Sequence, residues 1–335
     1  MSSFSLGDLS QTFMLQRRGA ALKAEMTRLN EELATGQVSN VKSVLAGNVS
    51  YLTDIESDLK TLTGFQVATT EAAQFADGVN LALERIDASV GTIGTALLTV
   101  GSAASGPVID QMSADAEVEL SAIISALNTS TGGRSVFAGS ASDQRPLADA
   151  DVILDGLRTA TSGASTPSDI LAATQAWFAD PAGFSAVAYT GSDTEIAPFR
   201  LAEGETVAVQ LTANDKVFRD ILQNVAIAAI VSDAGFALSD EEQRSLLRDA
   251  GTATLRAQAD LTAERASVGA AQARIDELAT RNAAEQTALT YAKGALLQAD
   301  PYETATELEA VQFQLQSLYT ITARMSDLSF VNFIR

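Results

Sequence analysis

Neither cysteine nor histidine occurs anywhere in the 335 residues. Without thiols there is no disulfide and no thiolate metal site. Without imidazole the chain also lacks the commonest general base and the commonest transition-metal ligand. Aromatic residues are scarce at 6%, with Trp177 the single tryptophan, so large rings are not the main filling of a core. Ala, Leu, Val and Ile suffice to pack thin helical bundles, and the composition leans that way. Positive charge is the minority sign: 22 Lys and Arg against 42 Asp and Glu leave a net charge of −20. A surface that acidic repels a phosphate backbone, which argues against a nucleic-acid partner. No uninterrupted apolar run approaches the ~18–20 residues of a membrane span, so no membrane partner is expected. Met1–Asp8 lacks the basic and apolar segments of a cleavable signal peptide, so any export is expected to read no such signal.

What is present is helical periodicity at both ends. Leu15, Leu22 and Leu29 recur every seven residues, and Met26 and Leu33 fill the complementary positions of a coiled-coil seam. Gly36 stands where a left-handed cap would stop this helix. Leu52, Ile55, Leu59 and Leu62 mark a second segment. The third is the most regular: Val79, Leu83, Ile86, Val90, Ile93, Leu97 and Val100 step alternately by four and three. That spacing predicts one continuous helix over Val79–Val100, packed against the long helix, from about Asp240 to Gln298, that carries the Leu261–Leu296 stripe. In the latter, Leu261, Val268, Ile275, Asn282, Leu289 and Leu296 fall seven residues apart. Asn282 is either a register-fixing polar residue in the seam or a solvated position. After Ser102–Pro107 a shorter helix to Leu127 turns Leu120, Ile123 and Ile124 inward. Past Asp300-Pro301, with proline suited to a first turn, Leu308, Val311, Leu315, Leu318, Met325 and Leu328 carry a last stripe.

Between Gly132 and Val231 the texture changes. Glycine and proline punctuate the chain about every ten residues, Thr206–Leu211 alternates like a half-buried strand, and Ile170–Phe178 reads as a short helix. The expected fold is therefore mainly α. Long antiparallel coiled-coil helices from both termini form a rod, with a small, mostly-β (α+β) middle domain inserted. The expected divisions are a terminal helical arm of 1–40 with 296–335, a helical rod of 41–131 with 232–295, and a middle domain of 132–231. Residues 1–30 hold four basic against two acidic side chains, and residues 296–335 hold two against five, which suits pairing of the two ends. A two-helix arm cannot hide all its apolar surface, so its outer positions are expected to meet neighbouring subunits.

Short chemical motifs carry little. Ser57-Asp-Leu-Lys60 fits a Ser-x-x-Lys pattern but sits on a heptad helix, without the distant partner motifs such enzymes need. Asp149, Asp151 and Asp155-Gly156 sketch a calcium loop, yet Ile153 occupies a ligand slot. Asn48-Val-Ser50 and Asn128-Thr-Ser130 match the glycosylation pattern only. No carboxylate pair stands out as an acid–base couple, and no cofactor, metal or catalytic residue is expected.

At both ends the sequence resembles the bacterial flagellin family. Leu29-Asn-Glu-Glu-Leu-Ala-Thr-Gly36 is similar to the segment closing that family's first helix. Thr262–Asp276, with its Val268-Gly-Ala270 step, resembles the long carboxy-terminal helix. Ala299–Ala305 through Phe313 to Ser329–Ile334 resembles the terminal helix. In the middle, Gly133–Asp143, Tyr189–Asp193 and Asn214–Phe218 resemble the insert of the family's hook–filament junction branch. Val41–Asn48 departs from the Asp-Asp-Ala-Ala-Gly type of run that usually follows the first helix, which counts against a bulk filament subunit.

The resemblance implies a structural, non-enzymatic subunit. It implies export unfolded by the flagellar type III apparatus, with an export chaperone, to an extracellular place on the flagellum. There the chain would pair with copies of itself in a ring between hook-associated protein 1 and the first flagellin layer. The expected contact residues are Phe13, Leu15, Leu22, Met26, Leu29 and Leu33 on one arm. On the other they are Leu308, Val311, Leu315, Leu318, Leu328, Phe330 and Phe333. Two readings stand beside this one: a short flagellin forming the filament itself, and a soluble coiled-coil adaptor or secretion-tip protein.

Overall fold

The computed structural model describes the backbone of residues 6–41, 49–233 and 235–334, and the side chains of residues 10–41, 49–233 and 235–325. The elements run α1 (Leu6–Thr35), α2 (Ser50–Ala103), α3 (Gly106–Leu127), β1 (Ser130–Thr131), β2 (Arg134–Ser135), α4 (Ala150–Thr161) and α5 (Pro167–Ala179). They continue with the single-turn α6 (Phe184–Val187), β3 (Phe199–Ala202), β4 (Glu205–Val207), α7 (Lys216–Ile230), α8 (Asp240–Leu297) and α9 (Pro301–Ile334). Two compact units result, residues 1–63 with 284–335 and residues 64–283. The fold is mainly α, with two small antiparallel two-stranded sheets, both in the middle of the chain.

In the unit of residues 64–283, the four–three stripe of α2 is buried from Val79 to Leu97. Its groove is supplied by α8. Gln272 bonds Asp77, Arg265 pairs with Asp87, Gly94 abuts Leu255, and Gly101 abuts Arg248. One number rises as the other falls, so the pair is antiparallel. The predicted helix over Val79–Val100 is continuous and packs on the predicted long helix, facing about Arg248–Gln272 of it. Glycine sets that register. A Cβ on Gly251 would lie 3.0 Å from Leu97 Cβ and 3.1 Å from the Gly94 carbonyl oxygen, and one on Gly101 would lie 2.6 Å from Arg248 Cγ. The same approach lets Arg244 and Arg248 donate to the Ala104 and Gly101 carbonyls at 2.7 and 3.0 Å. These are carbonyls the end of α2 cannot satisfy itself, and the cations also suit the negative end of its dipole. An 18-residue window of α2 reaches a mean hydropathy of 1.2, near a membrane threshold by composition. Its large stripe residues are nonetheless buried against protein.

The start of α8 is fixed by a capping box: Ser239 N–H donates to Glu242 at 2.8 Å, while Glu242 N–H reaches back to the serine hydroxyl. α3 packs on α7, and Ser113 Oγ donates to the Ala229 carbonyl. The run Ala226–Ile230 is buried throughout. That covered end has no polar face, whereas the first turns of α7 step Val217-Phe218, Ile221-Leu222 and Val225 inward past the more exposed Lys216, Arg219, Asp220 and Gln223.

Both hairpins lie against these helices. The β1–β2 turn uses Gly132 and Gly133 at φ +59° and +80°, the two positive values a tight two-residue hairpin needs. On the β3–β4 hairpin the Phe199 ring lies 5.6 Å from that of Phe75 on α2. On α8, Asn282 is buried and donates to the Leu201 carbonyl at 2.8 Å. Its polarity thus serves a strand backbone, rather than a partner helix or solvent. Arg281 pairs with Glu205 at 2.7 Å and Arg274 pairs with the same carboxylate. The Arg281 hydrogen bond, ahead of the two guanidinium charges, holds Glu205 below the usual carboxylate range. Strand structure stops at Val207, short of the alternation read to Leu211, and helices α4 to α7 fill most of the remaining middle.

Three distant segments of that middle converge. Gly139 takes φ +59° where a Cβ would lie 2.2 Å from the Ser192 carbonyl oxygen, and Ser192 N–H donates to the Ala138 carbonyl. Ala213 N–H donates to the Phe137 carbonyl, and Phe137 meets Phe218 edge-on at 5.5 Å. Gly133–Asp143, Tyr189–Asp193 and Asn214–Phe218 therefore form one packed corner. Asn128 is committed too: its amide donates to the Leu147 carbonyl and accepts from Leu147 N–H. Asp149 precedes α4, with Asp151 and Asp155 inside that helix, so the sketched calcium loop does not form.

Two glycine-to-alanine substitutions on α8 separate propensity from packing. Gly269 has open space around its Cβ position, so Gly269→Ala gains about 1 kcal/mol. Gly251→Ala meets backbone it cannot displace, and overpacking of about 1–3 kcal/mol outweighs that gain. Chemical denaturation of the two variants, read by circular dichroism, should move the midpoint in opposite directions.

Candidate assembly interface

In the unit of residues 1–63 with 284–335, α1 and α9 pair antiparallel. Gly19 abuts Leu318, while Leu29 clusters with Leu308 and Val311. Leu29 is only 1% exposed, and Leu22 and Met26 pack at the edge of the cluster. Toward the start of α1 the seam opens into a groove of about 560 Å3, lined by Thr12, Leu15, Gly19, Leu318 and Met325 among others. Lys23 Nζ lies 5.8 Å from the centroid of the Tyr319 ring across it, within reach of a cation–π attraction.

The chain breaks both helical runs at one level. α1 ends on Gly36 at φ +69°, the left-handed cap expected there. Val38 N–H donates to the Leu297 carbonyl and Ala299 N–H to the Gly36 carbonyl, both at 2.9 Å, flanking a Gln37–Gln298 bridge. Asp300 then caps α9, accepting from Tyr302 N–H at 2.8 Å and Glu303 N–H at 3.2 Å, with Pro301 following as read from the sequence. Buried Glu32 accepts from Ser39 N–H and from Arg28, each at 2.7 Å. Arg28 also binds Glu25 at 2.5 Å and approaches Glu307 of α9 at 3.9 Å. Glu25 first, and then Glu32, raise the Arg28 pKa above its ordinary value, against a partial desolvation. The cluster is an anchor for a helix end.

The expected contact residues divide by exposure. Leu29, Leu308, Val311 and Leu318 are buried inside the chain, and Leu15, Leu22, Met26 and Leu315 are half-buried along the seam. Phe13 and Leu33 are exposed, Phe13 by 66%. The side chains of Leu328, Phe330 and Phe333 lie outside the described residues. Sequence periodicity passed over a further set: Met14, Tyr302, Phe313, Tyr319 and Ile321 are large, apolar and exposed, Tyr302 by 84% and Phe313 by 70%. They were missed because they stand off the seven-residue stripe. The available signal was that very misplacement, since a helix apolar beyond one stripe expects more than one partner.

Phe313 follows Tyr302 by eleven residues, about three turns, so both project from one face of α9. That face is opposite the Leu308–Leu318 stripe. Phe13 is likewise opposite the Leu15–Leu22–Leu29 stripe of α1. No group of three or more carboxylates gathers as a metal site among the described residues. What the surface offers is apolar area flanked by charge.

Residues 252–334 match the family model described as the bacterial flagellin C-terminal helical region. No curated protein sequence matches the chain. Among solved structures, a Vibrio parahaemolyticus protein provisionally assigned as flagellar hook-associated aligns with a TM-score of 0.54 at 12% identity. The alignment covers 73% of this chain and 95% of that one. At that identity the likeness is one of fold.

Truncation separates the two kinds of contact. Leu29→Ala empties a buried site and costs about 2–5 kcal/mol, seen as faster amide exchange in α1 and α9. Phe13→Ala alters an exposed position and changes monomer stability by no more than about 0.5 kcal/mol. Its effect should appear only in self-association, measured by sedimentation.

Proposed function

We propose, for a chain whose carboxy-terminal helices are those of the flagellin family, a structural role at the hook–filament junction of the bacterial flagellum. The observation that carries the reading is the paired terminal helices. They bury one stripe against each other and leave a second set of large apolar side chains uncovered, within and beside the family-matched region. Burying one such side chain fully is worth roughly 1.5–3 kcal/mol. A chain that keeps several in water gains by assembling.

The junction assignment draws on the middle of the chain. The corner formed by Gly133–Asp143, Tyr189–Asp193 and Asn214–Phe218 uses the motifs that resemble the insert of hook-associated protein 3, the family's junction protein. The fold likeness to a protein assigned as hook-associated points the same way. On this reading the chain leaves the cell by flagellar export with a chaperone. It then rings the space between hook-associated protein 1 and the first flagellin, outside the cell, with no catalytic task. A filament flagellin would share the arms, and abundance separates the two: a junction protein is a trace band in sheared filaments.

Deletion of the gene should leave hooks without filaments and flagellin free in the medium, visible by electron microscopy and immunoblot. Intact filaments in the deletion strain sink the proposal. Removing only Ser329–Arg335 should leave the unit of residues 64–283 folded and abolish stable attachment to hooks.

A further inference from the structure

The outer faces of α1 and α9 carry matching patterns in opposite order. On α1, Phe13 and Arg17 lie one turn apart, followed on the same face by Ala20 and Ala24, all exposed. On α9, Tyr302, Thr306, Glu309 and Phe313 share one exposed face, with Glu309 one turn before Phe313. Laid antiparallel, the two faces register at four levels together: Phe13 on Phe313, Arg17 on Glu309, Ala20 on Thr306, and Ala24 under Tyr302. Aromatic meets aromatic, cation meets anion, and the largest ring meets one of the smallest residues. Arg17 and Glu309 have no ion-pair partner among the described residues.

The two patterns cannot meet within one chain. There Gly19 abuts Leu318 and Leu29 clusters with Leu308. That register puts Phe13 near the level of Met325, about three turns from Phe313. Both phenylalanines also point away from the seam their helices share.

We propose that α1 of one copy docks by this face on the outer face of α9 of a second copy, with Phe13, Arg17 and Ala24 meeting Phe313, Glu309 and Tyr302. This rests on the assembly reading above and names the lateral contact it requires. Charge complementarity selects the occupant. On this face α1 presents Arg17 where α9 presents Glu309, so like faces repel and unlike faces attract. The contact joins two different surfaces, so each copy keeps one of each free to continue. Such a head-to-tail contact closes into a ring or runs on as a helix.

The test uses the full-length purified chain and two charge reversals, Arg17→Glu and Glu309→Arg, at positions where exposure spares the fold. Sedimentation velocity across concentration and salt should show each reversal weakening self-association by about tenfold or more. The double variant should recover it. Mixing the two single variants should recover it as well, because α1 of each variant then finds the opposite charge on α9 of the other. An effect internal to one chain cannot be rescued by mixing. Unchanged association in the single variants, no recovery in the double variant or the mixture, or a wild-type chain monomeric up to ~100 μM each overturns the contact. Docking of another protein on this face would show as that last outcome. The flagellar reading fails separately, through normal filaments in a strain lacking the gene, even where the purified protein gives the charge-reversal pattern.

Discussion

The close antiparallel approach of α2 and α8 is the contact on which the unit of residues 64–283 depends. Three glycines, Gly94, Gly101 and Gly251, bring backbone against backbone, and the buried stripe from Val79 to Leu97 locks the register. With that register set, Asp87 meets Gln258 and Arg265, and Arg244 and Arg248 reach the end of α2. Phe75 and Asn282 provide the docking points for the β3–β4 hairpin. Each of these is a polar or aromatic contact that works at one register and fails one turn away. The apolar stripe supplies the drive and the flanking groups supply uniqueness.

The terminal helices obey the same rules with a different outcome. α1 and α9 also bury a facing stripe, centred on Leu29, Leu308 and Val311. Glycine brings them close at Gly19, against Leu318, and they have no further layer over their outer faces among the described residues. A pair of helices can cover one stripe each, and here the apolar side chains outnumber what one stripe holds. Ordering two thin helices costs conformational entropy that so small a cluster offsets poorly. Assembly supplies the missing surface, so stability and function share one origin in this part of the chain.

Much of this was legible in the sequence, for a physical reason. Helices exposed on one side must alternate apolar and polar residues, and α1, α2, α8 and α9 do. Gly36 and Asp300-Pro301 marked helix boundaries because their backbone preferences are local. What escaped was information held in three dimensions. The end of α7, Ala226–Ile230, is buried all round and shows no period. Asn282 looked like a seam residue because its partner, the Leu201 carbonyl, lies 81 positions away in sequence. The pairing register of α2 on α8 depended on where glycines meet, which spacing along either helix alone does not encode. Among the contact residues, heptad logic selected side chains that pack inward, such as Leu29 and Leu308. It passed over Phe313 and Tyr302, whose exposure is visible only once the seam is known.

A role in assembly requires that α1 and α9 reach full stability only between copies. Amide hydrogen exchange read by mass spectrometry, on the free chain and on the same chain in its assembled form, tests this directly. α1 and α9 should exchange faster than α2 in the free chain and slow by orders of magnitude on assembly, while protection in α2 from Val79 to Leu97 stays unchanged. Equal protection of α1 and α9 in both forms would contradict it.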